Sequence, residues 1–393
     1  MTPLAISHYT LTTALGAGRE PTLAGLQAGR SGLSPKRFLD VELSTWIGEV
    51  AGLDQVSLPI GLEAFDCRNN RLAWLGLRQD GFVDAARRAT ARWGTQRVAV
   101  ILGTSTSGLL QTELAYRRRA PDGSLPADFH YAQTQNSSSL AAFVAHALGV
   151  QGPSCVVSTA CSSSAKVFGN AARMIAAGLI DAALVGGVDS LCLTTLYGFN
   201  SLELLAADIC RPWDAQRHGL SLGEAAAFAL LERDVDEAQG WLLGVGESND
   251  GYHMSSPHPE GAGAVEAMRA ALADAQLAPG SIDYINLHGT ATPNNDAAED
   301  RAVGTVFGNA TPCSSTKGAT GHTLGAAGGV EAAIGLLALQ HAFVPGGLNL
   351  RTRDASLHAN YQRESFDARL RTTLSNSFGF GGSNASLVLG CAR

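Results

Sequence analysis

Lysine is almost missing: the 393 residues hold only Lys36, Lys166 and Lys317 against 25 arginines. Wherever arginine serves, this chain uses arginine, so a retained lysine marks a place where a compact ammonium fits and a planar guanidinium does not. Charge of either sign is scarce, 16% of residues against about 25% in ordinary soluble domains. With a net charge of −7, a broad nucleic-acid footprint is excluded, because neutralising phosphates needs concentrated positive charge. The seven cysteines show no CxxC spacing, which excludes a disulfide framework and a zinc module, and no His/Cys/carboxylate set has the spacing of a metal site. No stretch approaches the roughly 18 consecutive apolar residues of a membrane span, and no basic segment precedes Arg19 as a secretory leader would require. The expectation is a reduced, cytoplasmic protein that binds neither membrane nor nucleic acid.

What is present is apolar. Hydrophobic residues make up 45% of the chain, enough for a large interior and a subunit interface, and the length predicts two to three domains or one fused core. Apolar runs at 98–103, 155–158, 182–187, 225–232, 241–248, 282–287 and 385–390 predict buried strands. They alternate with predicted helices at 163–177, 262–275, 296–307 and 326–338, a pattern of layered α/β folds. No linker separates independent domains. Segments 155–178 and 313–338 echo each other, each running from a short strand through Ser/Thr into an Ala/Gly-rich helix. Duplicated halves would bring two such helix starts to a common centre, although close helix packing also selects small residues.

Three residues stand where chemistry can be done. Cys161 follows a strand and opens a helix, where unpaired N–H groups and the helix dipole favour a thiolate; a buried inert cysteine is the bland alternative. His288 ends an apolar run beside Thr290 and Thr292, at the carboxyl end of a strand where α/β folds keep their ligand crevices. His322 sits between Gly321 and Thr323 at a helix start. Each histidine alone reads as structural, but together with Cys161 they read as an activated-thiol site. Lys317 lies just before His322, and Glu299, on the helix after the His288 loop, is a plausible ion partner for it. His253, in the run Asn249-Asp250-Gly251-Tyr252-His253-Met254, is a further candidate for lining the site. The glycine-rich loop around Phe378 and Phe380, at 376–384, reads as a mobile gate or a tight β-turn. The glycines of 318–325 lack the GK[ST] ending of a phosphate loop.

Together, Ser158-Thr159-Ala160-Cys161-Ser162-Ser163, His288-Gly289-Thr290-Ala291-Thr292-Pro293, Lys317, Gly321-His322-Thr323-Leu324-Gly325 and 376–384 resemble the β-ketoacyl-acyl-carrier-protein synthases of the KAS I/II type. Arg211-Pro212-Trp213-Asp214 and Tyr252-His253-Met254-Ser255 add to a resemblance that spans almost the whole chain. It implies a thiolase fold: two βαβαβαββ halves, here 1–240 and 241–393, in a five-layer αβαβα sandwich. It implies a 3-oxoacyl-[acyl-carrier-protein] synthase, an acyltransferase performing decarboxylative Claisen condensation in fatty acid or polyene/polyketide biosynthesis. Cys161 would be the nucleophile, His288 and His322 the histidines holding the malonyl thioester, Lys317 with Glu299 their support, and Phe380 the gate whose N–H joins that of Cys161 in an oxyanion hole. Thr290 and Thr292 would hold the phosphopantetheine arm delivered by the acyl carrier protein, with no tightly bound cofactor and no metal. Asp250, His253 and Phe378 would belong to the gate. Arg68 and Arg71 are first choices for docking the acidic carrier, ahead of Arg117, Arg118 and Arg119. The resemblance also implies a homodimer, or a heterodimer with a paralogous chain-length subunit.

Asn295, where glycine is common, and the Ser/Thr-rich run Gly103-Thr104-Ser105-Thr106-Ser107-Gly108 depart from the family pattern at places that bear on chain length. Two other readings share the fold. A thiolase acting on acyl-CoA looks for a second cysteine in the C-terminal glycine loop, which 379–382 lacks. A non-catalytic chain-length-factor-like subunit loses the nucleophile, which this chain keeps.

Overall fold

A computed structural model describes residues 1–35, 38–235 and 237–391. Ten strands carry the core: β1 Leu4–Thr13, β2 Val98–Gly103, β3 Ser154–Val157, β4 Ala182–Asp189, β5 Ala225–Glu232, β6 Gly240–Asn249, β7 Tyr284–Asn286, β8 Cys313–Ser314, β9 Thr372–Gly379 and β10 Ser383–Gly390. Their hydrogen-bonded order is β3-β2-β4-β5-β1-β6-β10-β9-β7-β8. Each half therefore repeats one pattern. Its second strand pairs in parallel with the third and fourth, and the fifth runs antiparallel between the fourth and the first. The first strands of the two halves, β1 and β6, meet antiparallel at Leu4–Leu242, Ala5–Trp241 and Ile6–Gly240.

Two helices fill the middle. Ser163–Ala176 follows β3, and Ala327–His341 follows β8. The second is buried without a break from Ala327 to Leu339, as expected of a helix that is apolar all round. Their Ala165, Phe168, Val330 and Leu337 share one core with Ile101 and Val185 of the first half and Leu387 and Leu389 of the second. Close approach depends on Gly328, where a Cβ would lie 2.6 Å from the Ala165 nitrogen. Helices Arg68–Leu77, Phe82–Trp93 and Ser139–Leu148 cover the outer face of the first half, and Ala262–Ala275 and Pro293–Phe307 cover that of the second. The result is the five-layer αβαβα sandwich of duplicated halves. No helix among the described residues is long and apolar enough to cross a membrane.

The apolar runs became strands with small changes of boundary; 282–287 shortened to Tyr284–Asn286. Strands β1 and β9 were not anticipated, because polar residues interrupt their pattern. Thr10 and Thr12 of β1 and Ser375, Asn376 and Ser377 of β9 are buried all the same. Thr10 Oγ1 donates to Asp80 Oδ2 at 2.7 Å and Asn376 Oδ1 accepts from the Ser386 hydroxyl at 2.8 Å, which removes the penalty of burying those groups, whereas the hydroxyls of Thr12, Ser375 and Ser377 have no partner among the described residues.

Candidate active site

Cys161 sits at a sharp corner. The chain leaves β3, Ala160 takes the left-handed conformation at φ +52°, and the Ser163–Ala176 helix begins two residues after the cysteine. The Ser163 hydroxyl locks the corner by accepting from the Thr159 N–H at 2.8 Å and donating to the Ala160 carbonyl at 2.6 Å. Cys161 is 5% exposed, and its sulfur lies 2.9 Å from His322 Nε2. Burial pushes the thiol up to about 12, against the pull of the Lys317 ammonium and the Phe380 N–H. The helix start, worth at most ~2 kcal/mol in favour of a thiolate, works here against the burial that favours the thiol.

His288 follows β7 on a turn held by one carboxylate. The N–H groups of His288 and Gly289 donate to the two oxygens of Glu299 at 2.8 Å each, and Asn376 Nδ2 adds a third bond at 3.2 Å. Glu299 is thus fully occupied, and the expected Lys317–Glu299 pair does not form. Lys317, 1% exposed, pairs instead with Glu331, which reaches it from the wall of the Ala327–His341 helix. The ammonium also donates to the His288 carbonyl at 2.5 Å and lies 3.4 Å from its Nδ1. A donor at Nδ1 leaves the neutral ring's proton on Nε2. Burial, and then the Lys317 charge, hold both histidines well below their ordinary range, so both rings are neutral. They meet edge to face, with centroids 5.4 Å apart.

Two spaces converge on the sulfur. A cavity of about 170 Å³ reaches Cys161, His288 and His322 past Thr290, Thr292 and Asn295; the two threonine hydroxyls are 2.9 Å apart. A second chamber of about 520 Å³ extends from Cys161 along Ser105, Thr194, Leu202 and Leu324. Phe199 and Phe380, with rings 5.6 Å apart, border both spaces. The Phe380 loop turns on Gly381 and Gly382, at φ +76° and +71°, and is tethered by bonds from Gly381 N–H to the Met254 carbonyl and from Asp250 N–H to the Gly382 carbonyl. Phe378 lines the first cavity beside His288. Asp250 lines it too, its carboxylate accepting from Asn384 Nδ2 and the His258 N–H. His253 is exposed, and its Nδ1 accepts from the N–H groups of Ser255 and Ser256. It shapes the loop whose Ser255 and Ser256 line the cavity and does not line it itself.

Of the docking arginines, Arg68 is corrected. Arg68 is 7% exposed and forks onto Glu224 at 2.7 and 2.8 Å, with Asp54 and Glu49 at 3.1 and 3.2 Å; a guanidinium so committed is internal scaffolding. Arg71 stays at the surface, bound bidentately to Asp66 at 2.5 and 2.6 Å, and the exposed Arg117 and Arg118 pair with Asp40 and Asp128; surface pairs of this kind are weak and leave a guanidinium accessible to a partner. Sequence reasoning missed Glu331, Phe199 and Asp189. Glu331 alone carried a signal, as a single acid inside an otherwise apolar helix. Ligand atoms of Cys161, His288 and His322 lie within 4.8 Å of one another, near enough to hold a metal ion, although the Lys317 charge beside His288 opposes a further cation.

Comparison with known proteins agrees with this architecture. Residues 71–237 match the family model for the N-terminal domain of beta-ketoacyl synthases, and residues 239–351 match that for the C-terminal domain. A 3-oxoacyl-[acyl-carrier-protein] synthase 2 of Coxiella burnetii is 34% identical over 98% of both chains. A 3-oxoacyl-[acyl-carrier-protein] synthase 1 of Escherichia coli is 31% identical over 98% of both. Among solved structures, a ketosynthase in complex with its chain length factor from Xenorhabdus doucetiae superposes with TM-score 0.91 at 39% identity, covering 99% of this chain and 98% of that one. A beta-ketoacyl synthase from Burkholderia phymatum superposes with TM-score 0.89 at 29% identity, both chains covered completely.

Proposed function

This chain belongs to the β-ketoacyl synthase family and is a condensing acyltransferase; from that premise we propose how its residues divide the work. An acyl chain arrives as a thioester on the phosphopantetheine arm of an acyl carrier protein, the arm lying along the cavity of Thr290 and Thr292. The Cys161 sulfur attacks the thioester carbonyl while its proton passes to His322 Nε2 and on to the departing pantetheine sulfur. The acyl group is left on Cys161 with its tail in the second chamber. The N–H groups of Cys161 and Phe380 receive the charge that develops on the carbonyl oxygen; removing one such donor typically costs about 10²–10³ in rate.

In the second half-reaction, malonyl thioester occupies the first cavity. His288 donates from Nε2 to its carbonyl oxygen, and His322 joins it once its ring proton has shifted from Nδ1 to the Nε2 that passed on the Cys161 proton, so the electrons released as CO2 departs are held as an enolate. The enolate carbon attacks the acyl thioester, the β-ketoacyl product leaves on the carrier, and the freed thiolate takes a proton from solvent. Lys317 keeps His288 in the donating tautomer, Glu331 balances its charge, and Glu299 fixes the turn. Two halves, 1–240 and 241–393, supply the nucleophile and the histidines respectively. We take the enzyme to work in the cytoplasm with a second chain, itself or a paralogous chain-length subunit.

The observation that carries this reading is the 2.9 Å contact of the Cys161 sulfur with a neutral His322, which a non-catalytic chain-length subunit has no use for. Intact-mass measurement after incubation with acyl-carrier-protein thioesters tests it. The native chain gains the acyl mass and Cys161→Ala does not. No adduct on the native chain, with or without a candidate partner subunit, returns the reading to the non-catalytic alternative.

A further inference from the structure

Asp189, the last residue of β4, is completely buried, and no lysine or arginine pairs with it among the described residues. Its two oxygens accept from Thr104 Oγ1 at 2.6 Å, from the N–H groups of Ser105 and Thr106 at 2.8 Å, from Thr106 Oγ1 at 2.8 Å and from the Gly325 N–H at 2.5 Å. Burying a carboxylate without a cation costs several kcal/mol unless its acceptors are filled this completely. What the donors belong to is informative. Ser105 and Leu324 both wall the chamber beyond Cys161. Ser105 Oγ lies 3.4 Å from the Ala160 carbonyl, immediately before the nucleophile. Leu324, held at φ +52°, lies two residues past His322 and directly before Gly325. One carboxylate from the first half thus grips the loop behind Cys161 and, across the molecule, the loop behind His322. Gly325 is required for the grip, since a Cβ there would lie 2.7 Å from Asp189 Oδ2 and 2.8 Å from Ser105 Oγ.

We propose that Asp189 is a positioning residue that sets the Cys161–His322 separation and the shape of the acyl chamber by holding both loops at once. The proposal deepens the condensing reading and rests on it. Nothing in it requires contact with substrate. Its function is to keep two parts of the site, contributed by different halves, in register while acyl chains of different length enter.

Asp189→Asn tests it, because the amide keeps the size and replaces one acceptor oxygen by N–H groups facing other donors. The measurement is the rate of Cys161 acylation by carrier thioesters bearing a short and a long acyl chain, read by intact mass. The expected result is a maximal rate about 10²-fold lower, as for a displacement of order 1 Å, with KM for the carrier thioester unchanged and the short-to-long preference altered. A folded variant with wild-type rate and preference overturns the proposal, as does one in which rate and KM worsen together while preference stays fixed. If Asp189→Asn does not fold, Thr106→Val decides, since it removes one hydroxyl donor and leaves both backbone N–H groups. A changed chain-length preference at unchanged KM supports the proposal, and an unchanged preference overturns it. Failure of the wild type itself to accept any acyl chain would sink the condensing reading along with this one, and is thereby distinguishable from failure of the Asp189 variants alone.

Discussion

At the scale of single residues, the site is a pair of neutral histidines and a buried sulfur arranged around one retained lysine and its carboxylate. Lys317 has room for an ammonium only: it is enclosed by the His288 carbonyl, the His288 ring and Glu331. Lys317→Arg is therefore expected to be as damaging as Lys317→Ala, lowering malonyl decarboxylation about 10²-fold or more, since the tautomer of a donating histidine is lost with it. Steady-state CO2 release by the two variants checks this, and near-normal turnover by the arginine variant would refute it. Glu299 yields a pH prediction. Burial pushes its carboxyl up to about 7 against the bonds from Gly289, His288 and Asn376, yet three donors aimed at two oxygens fit only the ionised form. As pH falls through about 7, protonation puts an O–H against one of those N–H groups and loosens the His288 turn, so kcat falls on the acid side and recovers as pH rises. Glu299→Gln mimics the protonated form at every pH. Its kcat is expected to be low throughout and to lack that acid limb, which a pH–rate profile beside the wild type reveals.

At the scale of elements, the loops that join strands to helices do the positioning, and their glycines and ion pairs can be separated by mutation. Gly382 needs its positive φ, and a Cβ there would lie 2.7 Å from the Asp250 Cβ, so Gly382→Ala forces the Phe380 loop off its tether. Gly381 shares the positive φ but faces open space, and Gly381→Ala carries only the backbone strain of about 1 kcal/mol. Acylation of Cys161 is expected to slow markedly in the first variant and slightly in the second; equal effects would mean the tether is irrelevant. Arg68→Ala should act on stability and leave the carrier's KM alone, because Glu224 remains buried without its partner, a loss of roughly 3–5 kcal/mol. Thermal melting and carrier titration separate the two. These loops also mark what the sequence could and could not reveal. Cys161 and His288 were visible because each ends an apolar run with a reactive group, and His322 because it stands at a glycine-flanked helix start. Arg68 misled because a basic residue in an exposed-looking helix start carries no local sign that Glu224, 156 positions away, will claim it. Glu331 was passed over in favour of Glu299, since which of two acids reaches Lys317 depends on the packing of the Ala327–His341 helix against the loop, a tertiary fact.

At the scale of the whole molecule, duplication explains why the reactive groups meet. Each half sends a helix start into the middle layer, so the nucleophile after β3 and the histidine before the second central helix face each other between the two halves, 2.9 Å apart. The duplication was legible as a faint echo of strand and small-residue helix, whereas β1 and β9, with their buried hydroxyls and amides, became recognisable only in the assembled sheets. The same architecture leaves one side unfinished. Strand β3 ends the first half's sheet with Ser154 and Cys155 exposed, an edge that soluble proteins cover or protect. Ser158, just past that strand, lines the acyl chamber together with Leu202, and Leu202 and Tyr197 are 50% and 46% exposed. An acyl chain longer than the chamber would emerge into water beside an open sheet edge, so the proposed second chain has two reasons to sit there: to cover apolar side chains and to close the chamber. If the proposed pairing holds, with itself or with a chain-length subunit, Leu202→Asp combined with Tyr197→Asp is expected to leave a folded monomer in sedimentation velocity. Acylation by long chains should fall more than acylation by short ones, because only long chains need the missing wall. A double variant that still assembles and keeps its chain-length profile would place the interface, and the end of the chamber, elsewhere on the molecule.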